Sequence, residues 1–257
     1  YYDHDRDRMD RPGTSRLSAD LRFGTISVRS VWAALAKQPE SVRGRYAAEL
    51  LWREFAHYTL WHDPSVLSAP FRPEFRGFPW RGVNADFEAW WQGRTGYPVV
   101  DAAARQLLAE GFVHNRARMI SASFLTKHLL VHYKHGEAHY LRYLTDGDLA
   151  QNNMGWQWSA GCGCDAQPYF RVFNPVVQGE RFDPEGAYVR RYVPELARLP
   201  ARYIHAPWLA PAAVLAQAGV RMGESYPQPI VDHASARQRF LLVASDHLKR
   251  PSGRAQA

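Results

Sequence analysis

A turn, Gly13-Thr14-Ser15-Arg16-Leu17-Ser18, gathers three hydroxyls and one guanidinium just ahead of a helical pattern. Such a turn offers backbone N–H groups, hydroxyl donors and positive charge together, the set a phosphate or pyrophosphate needs; the same residues also suit an ordinary helix N-cap. Farther along, Glu49, Trp52 and Arg53 stand at i, i+3 and i+4 of a helical run and share a face. A carboxylate beside an exposed indole and an arginine can bind a base or base-like ring by stacking and hydrogen bonding. The plainer alternative is an ion pair with Trp52 in the core.

In His114-Asn115-Arg116-Ala117-Arg118-Met119, Asn115, Arg118 and Met119 align on one helical face and Arg116 turns toward a neighbouring one. Asp146-Gly147-Asp148 sets two carboxylates around a glycine, with Asn152 four residues after Asp148. Two acids can chelate a metal, but no histidine stands at ligand spacing, so an arginine partner such as Arg118 is the simpler explanation and no metal is expected. Trp156 and Trp158 lie just downstream; in an extended or turn-like chain they point to different sides and serve different neighbours.

Helices must position these groups, because strand-type alternation is scarce. Ser27 can cap a helix with Val28, Val31, Trp32 and Leu35 on one face, and a longer helix is expected from Tyr46 to Trp61, stopped by Asp63-Pro64. Pro98 and Gly111 bracket another. A long helix is expected from His114 to Lys134, ended by Gly136, and shorter ones over 137–144, 148–154, 184–191 and 234–249. Residues 70–82 read as an aromatic-rich loop, and 199–230 as irregular wrapping with at most one short helix near 212–218. The expectation is one all-α domain over residues 1–257, with a lead-in segment over 1–12.

Composition narrows the class further. Hydrophobic residues at 46% and charged residues at 22% exclude a disordered, collagenous or coiled-coil chain. No apolar run approaches the roughly 18 residues of a membrane span, and no signal peptide is visible, so a soluble, cytoplasmic protein is expected. Cys162 and Cys164, one residue apart, are too close for an unstrained disulfide and read as reduced bystanders. The net charge is +7, carried by 28 arginines against four lysines, which suits recognition of a phosphate backbone; a codon bias would give the same excess. Nine tryptophans can fill a core, stack on bases or flavins, or pass single electrons. The chain opens on Tyr1 and reads as the later part of a longer polypeptide.

Taken in order, GTSRLS, ELLWREF, WWQGRTGYPVVDAAARQL, HNRARM, DGDLAQNN, GWQW and PYFRVFNPVVQGE resemble the FAD-binding domain of the DNA photolyase and cryptochrome family. The likeness runs from about Tyr2 to the Tyr226–Val231 segment and the last helix, and is closest to a microbial class I cyclobutane pyrimidine dimer photolyase. The family's first, α/β domain is absent, and with it any clue to the antenna chromophore. The resemblance implies an all-helical domain clasping FAD, active as FADH⁻. Tyr2 and Thr14, Ser15, Arg16, Leu17 and Ser18 would hold its phosphates. Tyr46 stands where relatives often place tryptophan, and Arg53 and Asn115 line the same pocket. Arg118 would pair with Asp146 near the isoalloxazine, with Gly147 and Asp148 alongside and Asn152 facing the flavin N5. Asparagine at that place is photolyase usage, whereas plant cryptochromes tend to carry aspartate and animal ones cysteine.

For the substrate, the resemblance implies that Glu49, Trp52, Asn115, Met119 and Trp158 receive a flipped-out dimer, while Arg6, Arg116 and Gln178 touch the strand. Asn115 and Met119 take the places of the paired histidines of 6-4 photolyases, which favours the cyclobutane lesion. Light would drive one electron to the dimer and back, with Glu49 bonding a thymine carbonyl and stabilising the charge, and Trp52 and Trp158 walling the extruded bases. In the three-tryptophan photoreduction relay, Trp156 and Trp80 fit the inner and outer ends, but Tyr133 stands in the middle. Tyrosine resists oxidation unless its proton leaves too, so slower photoreduction is expected. The expected function is therefore that of a carbon–carbon lyase repairing UV-damaged DNA, acting as a bacterial monomer. The alternative is a cryptochrome-type blue-light receptor, against which Asn152, Met119, Trp52 and the short tail after Lys249 argue.

Overall fold

Proline and asparagine or aspartate caps decide where most helices begin. In the computed structural model, which describes residues 2–249, the order is α1 (Tyr2–Asp5), α2 (Ser18–Phe23), α3 (Val28–Leu35), α4 (Glu40–His62), α5 (Ala85–Trp91), α6 (Pro98–Glu110) and α7 (Asn115–Ser123). There follow α8 (Tyr133–Tyr143), α9 (Leu149–Ala160), α10 (Pro175–Phe182), α11 (Ala187–Tyr192), α12 (Ala201–Ile204), α13 (Ala212–Ala218) and α14 (His233–Lys249). Tyr1 and residues 250–257, at the ends of the expected single domain, lie outside the described residues, as does the tail after Lys249. Among the described residues there is no strand, only isolated bridges at Arg81–Val131 and Met222–Tyr226, and no helix is long and apolar enough to cross a membrane.

Helix α6 is the hub. Its residues are buried almost all round, which lets α5, α7, α8, α10 and α11 pack on different sides of it. Around it the core gathers Trp90, Phe124, Leu125, Leu129, Tyr133, Tyr140 and Trp156. A small satellite cluster of Val31, Leu35 and Leu50 holds α3 to α4.

Three expected elements change. The helix expected over 114–134 breaks: α7 widens into a π turn over Phe124–His128, and Leu130, at φ 56°, reverses the chain. The reason is tertiary. Buried Lys127 donates to Arg171 O (2.8 Å) and His128 Nε2 meets His233 Nδ1 (2.8 Å), partners outside the helix, while Thr126 Oγ1 donates back to Ala122 O (2.7 Å), a bond that often bends a helix. Gly136 does not end a helix but lies inside α8, where a Cβ would come within 2.2 Å of Trp156 Cη2; it is glycine so that α8 and α9 can close. Finally, α9 continues past residue 154, so Trp156 and Trp158 are helical and not extended. Helix α10 was not anticipated, although Asn174 caps it through Val176 N (3.0 Å). Segment 199–230 holds α12 as well as α13. Cys162 and Cys164 are both free.

Candidate cofactor and lesion site

The phosphate-type turn precedes α2, but Leu17, at the N-cap position, gives no side-chain cap. The hydroxyls of Thr14 and Ser18 and the backbone N–H groups of Thr14, Arg16 and Ser18 have no partner among the described residues, so the turn is a set of free donors and not a plain cap. Gly13 lets it approach α1: a Cβ there would lie 2.3 Å from Asp5 O. On α4, the Tyr46 hydroxyl donates to Ser15 Oγ (2.7 Å), and the Tyr2 and Tyr46 rings are 5.0 Å apart. Burial pushes the Tyr2 phenol up to about 12, so it keeps its proton and serves as a donor. Arg53 pairs with Glu54 (2.7 Å), and its Nε is buried without a hydrogen-bond partner.

Beside these stands the Arg6–Glu49 pair, Nη1 to Oε1 at 2.5 Å, joining the turn after α1 to α4. Trp52 is 46% exposed, with the edge of Phe55 as its ring neighbour (5.8 Å), which removes the reading of a core indole. Asn115 is exposed, with Nδ2 3.7 Å from Met119 Sδ. Arg116 pairs with Asp7 (2.8 Å) over the Phe182 ring (4.2 Å). Trp158 is half-buried, and Gln178 keeps a buried Oε1 with no partner.

Facing them, Arg118 grips both oxygens of buried Asp146 (3.0 and 2.7 Å) and donates from Nε to Val113 O (2.7 Å). Asp148 is already occupied: Oδ1 caps α9 through Gln151 N (2.9 Å) and Oδ2 lies 3.1 Å from His57 Nε2. Gly147 O accepts from Arg22 Nε (2.7 Å). Asn152 donates through Nδ2 to Glu137 O (2.9 Å), which leaves its Oδ1 without a partner among the described residues. His57, unremarked in the sequence, shares a face with Glu49 and Arg53 at helical spacing, and that spacing was the available signal.

No two of the three relay rings form an aromatic pair among the described residues. Trp156 is buried, and its ring neighbours are Tyr140 (5.2 Å) and Trp90 (6.0 Å). His132 stands between Trp80 (6.0 Å) and Tyr133 (4.7 Å). The Tyr133 hydroxyl is buried without a hydrogen-bond partner, and burial pushes its pKa well up, so no group waits to take its proton. Trp90, whose contact spans α5 and α9, could not be picked out among nine tryptophans.

Just before Asn115, His114 caps α7 by accepting Arg116 N at Nδ1 (3.1 Å), a bond only an unprotonated nitrogen can make. Burial lowers its pKa to about 4; Asp7 opposes, and Arg116, Arg118 and Arg6 reinforce it. An unfolded chain takes up that proton near the ordinary 6.5, so the stability is full above that pH and is lost as pH falls from there toward about 4. The expected loss at pH 5 is about 2 kcal/mol. Since His128 and His139, their pKa values also lowered by burial, cost stability in the same window, thermal melts give the His114 share as the difference between the pH 7 to pH 5 losses of the parent and of His114→Asn, a neutral cap that should have the flatter pH dependence; an unchanged slope would remove His114 as a cause.

The donor set fits a dinucleotide. Free hydroxyls, free N–H groups and the orphaned Arg53 Nε suit phosphates, and Arg118–Asp146 with the open Asn152 Oδ1 offers donors and an acceptor for a heteroaromatic ring. Fold and site together define a helical flavin-binding domain with an exposed aromatic and arginine face. Residues 46–245 match the FAD binding domain of DNA photolyase, and the chain belongs to that family. It is 47% identical over 244 residues to the deoxyribodipyrimidine photo-lyase of Agrobacterium fabrum (93% of this chain, 51% of that protein). To that of Escherichia coli it is 46% identical over 246 residues (93% and 51%). Among solved structures, a bacterial class III photolyase from Agrobacterium tumefaciens superposes with a TM-score of 0.93 at 46% identity, covering 96% of this chain and 52% of that one. A Synechocystis cryptochrome gives 0.87 at 33%, covering 94% and 51%. The chain spans about half the length of the curated relatives it matches.

Proposed function

We propose that this domain is the catalytic half of a light-dependent lyase that splits cyclobutane pyrimidine dimers in UV-damaged DNA. The carrying observation is Trp52, left 46% exposed on the α4 face that also bears Tyr46, Arg53 and the Arg6–Glu49 pair. A flat apolar surface next to a paired charge is what an extruded base needs, and stacking there offsets part of the few kcal/mol spent on unstacking.

When bound, reduced FAD would supply the light-driven, reversible one-electron chemistry that opening a dimer needs. The protein's own residues do the rest. Tyr2, the Thr14–Ser18 turn and Arg53 bind phosphates. Asn152, whose Nδ2 is held by Glu137 O, would offer its carbonyl oxygen to the flavin ring, and Arg118 with Asp146 would help to hold that ring. Asp148, whose oxygens are engaged by His57 and Gln151, acts by fixing the start of α9. Glu49, Asn115 and Met119 read the lesion between Trp52 and Trp158, and Arg116 and Gln178 follow the strand. Tyr133, with its hydroxyl buried and unpartnered among the described residues, makes slow photoreduction part of the proposal.

DNA as partner, action as a monomer and a cytoplasmic setting belong to the same proposal; similarity to bacterial photo-lyases supports it. The class I assignment rests on the sequence resemblance, and the Agrobacterium structure is described as class III, so lesion and not class is what these residues select. The test is repair of a thymine-dimer oligonucleotide by the chemically reduced, FAD-loaded protein under blue light, with a dark control. Light-dependent recovery of thymines is expected. Bound flavin without repair would shift the reading to a cryptochrome-type blue-light receptor.

A further inference from the structure

We infer that residues 13–27 form a strap latched across the cofactor site by Arg22 and by a stack on Phe112, and that these latch residues set how long the cofactor stays bound without touching it. The inference rests on the FAD reading above. Helix α2, in the middle of the strap, buries none of its residues. Leu17, Leu21 and Ile26 reach only the satellite cluster of Val31, Leu35 and Leu50, so apolar packing holds the strap to α3 and α4 but not to the opposite wall.

Two polar connections cross to that wall. Arg22 Nε donates to Gly147 O at 2.7 Å, between Asp146 and Asp148 and 125 positions away in the chain. Arg16, held at φ 55°, places its guanidinium 4.3 Å from the Phe112 ring and 3.5 Å from Glu110 Oε2. Arg118, the partner of Asp146, lies 5.6 Å from the same ring. Phe112 thus links the phosphate turn to the Arg118–Asp146 pair. Glu110 is itself fixed by Tyr192 OH (2.6 Å) and Arg191 (2.8 Å), a prepared anchor and not a stray surface contact. Arg16 is accordingly a positioning residue: its charge is spent on Phe112 and Glu110, and its unusual backbone leaves the N–H groups of the turn free.

A ligand inside this ring of contacts leaves when the strap opens, so weakening the latch speeds dissociation more than it slows association. In the chain reconstituted with oxidised FAD, Arg22→Ala should raise the dissociation rate about tenfold, the worth of one charge-assisted hydrogen bond, and Phe112→Leu, which takes the ring from under Arg16, about two- to fivefold. Flavin fluorescence after dilution into a flavin scavenger reads this rate. Backbone amides of residues 13–27 should exchange faster in cofactor-free Arg22→Ala than in the cofactor-free parent, while those of α6 are unchanged. Equal dissociation rates in the parent and both variants would overturn the latch. If the parent takes up no FAD, the reading beneath it fails; the amide exchange, which needs no cofactor, still decides the latch, and unaltered exchange would overturn it.

Discussion

Replacing Glu49 with alanine should lower light-driven opening of a thymine dimer about tenfold or more, without weakening binding to undamaged duplex. The pair with Arg6 at 2.5 Å makes the reason specific. A guanidinium has only donors and an ionised carboxylate only acceptors, so in this pair Arg6 donates and Glu49 accepts. The expectation that Glu49 bonds a thymine carbonyl therefore changes: as a carboxylate it takes a ring N–H, and Arg6 beside it holds the donors a carbonyl needs. Losing one charged partner in a desolvated site costs about 1.5–3 kcal/mol, or ten- to a hundredfold. The same deletion strips Arg6 of its counter-charge, which favours phosphate contact, so affinity for undamaged DNA should hold or rise at low salt. Glu49→Gln, which keeps shape and an acceptor, should lose less. Dimers opened per absorbed photon, with competition between damaged and undamaged oligonucleotides, measure both effects. Repair by Glu49→Ala at the parent's yield would remove Glu49 from the site.

How much of this was legible in the sequence depends on chain distance. The helical face of Tyr46, Glu49, Trp52 and Arg53 was readable because spacing within a helix fixes it; His57 lay on the same face and was open to the same argument. Arg118 with Asp146 was readable as charge complementarity. Arg22 to Gly147 was not, since nothing local in a six-residue helix tells an exposed arginine which carbonyl it will meet. The break after α7 was hidden for a related reason. Ile120, Phe124, Leu125 and Leu129 give a good helical period, and what defeats it is the burial of Lys127 and His128 against Arg171 and His233, partners 44 and 105 positions away. Gly136 misled because a glycine near a helical pattern marks an end far more often than a close approach to an indole.

The second large effect is on stability. Asp101→Ala should cost about 4 kcal/mol, because it strands several buried donors at once. Asp101 is fully buried in α6 and accepts from Thr95 N and Oγ1 (2.7 Å each), Gly96 N (3.1 Å) and Tyr226 OH (2.6 Å). Burial raises its pKa, and the bonds from Thr95 and Tyr226 draw it back down. These bonds fasten the end of segment 199–230, which Ile230 N to Thr95 O (3.0 Å) and Tyr97 OH to Val231 O (2.9 Å) then extend toward His233 and α14. For a chain of this size such a loss lowers the melting temperature by roughly 8–16 °C. Tyr226→Phe removes one donor and leaves the carboxylate with three, so it should lose only about 1 kcal/mol. Asparagine is no remedy: its NH2 would face N–H groups that the carboxylate now accepts. The site's own contacts run through α4, α7 and α9, so Asp101→Ala should still take up FAD well below its melting temperature. A melting temperature within about 2 °C of the parent would show that the donors find other partners, and the fastening of α14 would then lie in the His128–His233 contact.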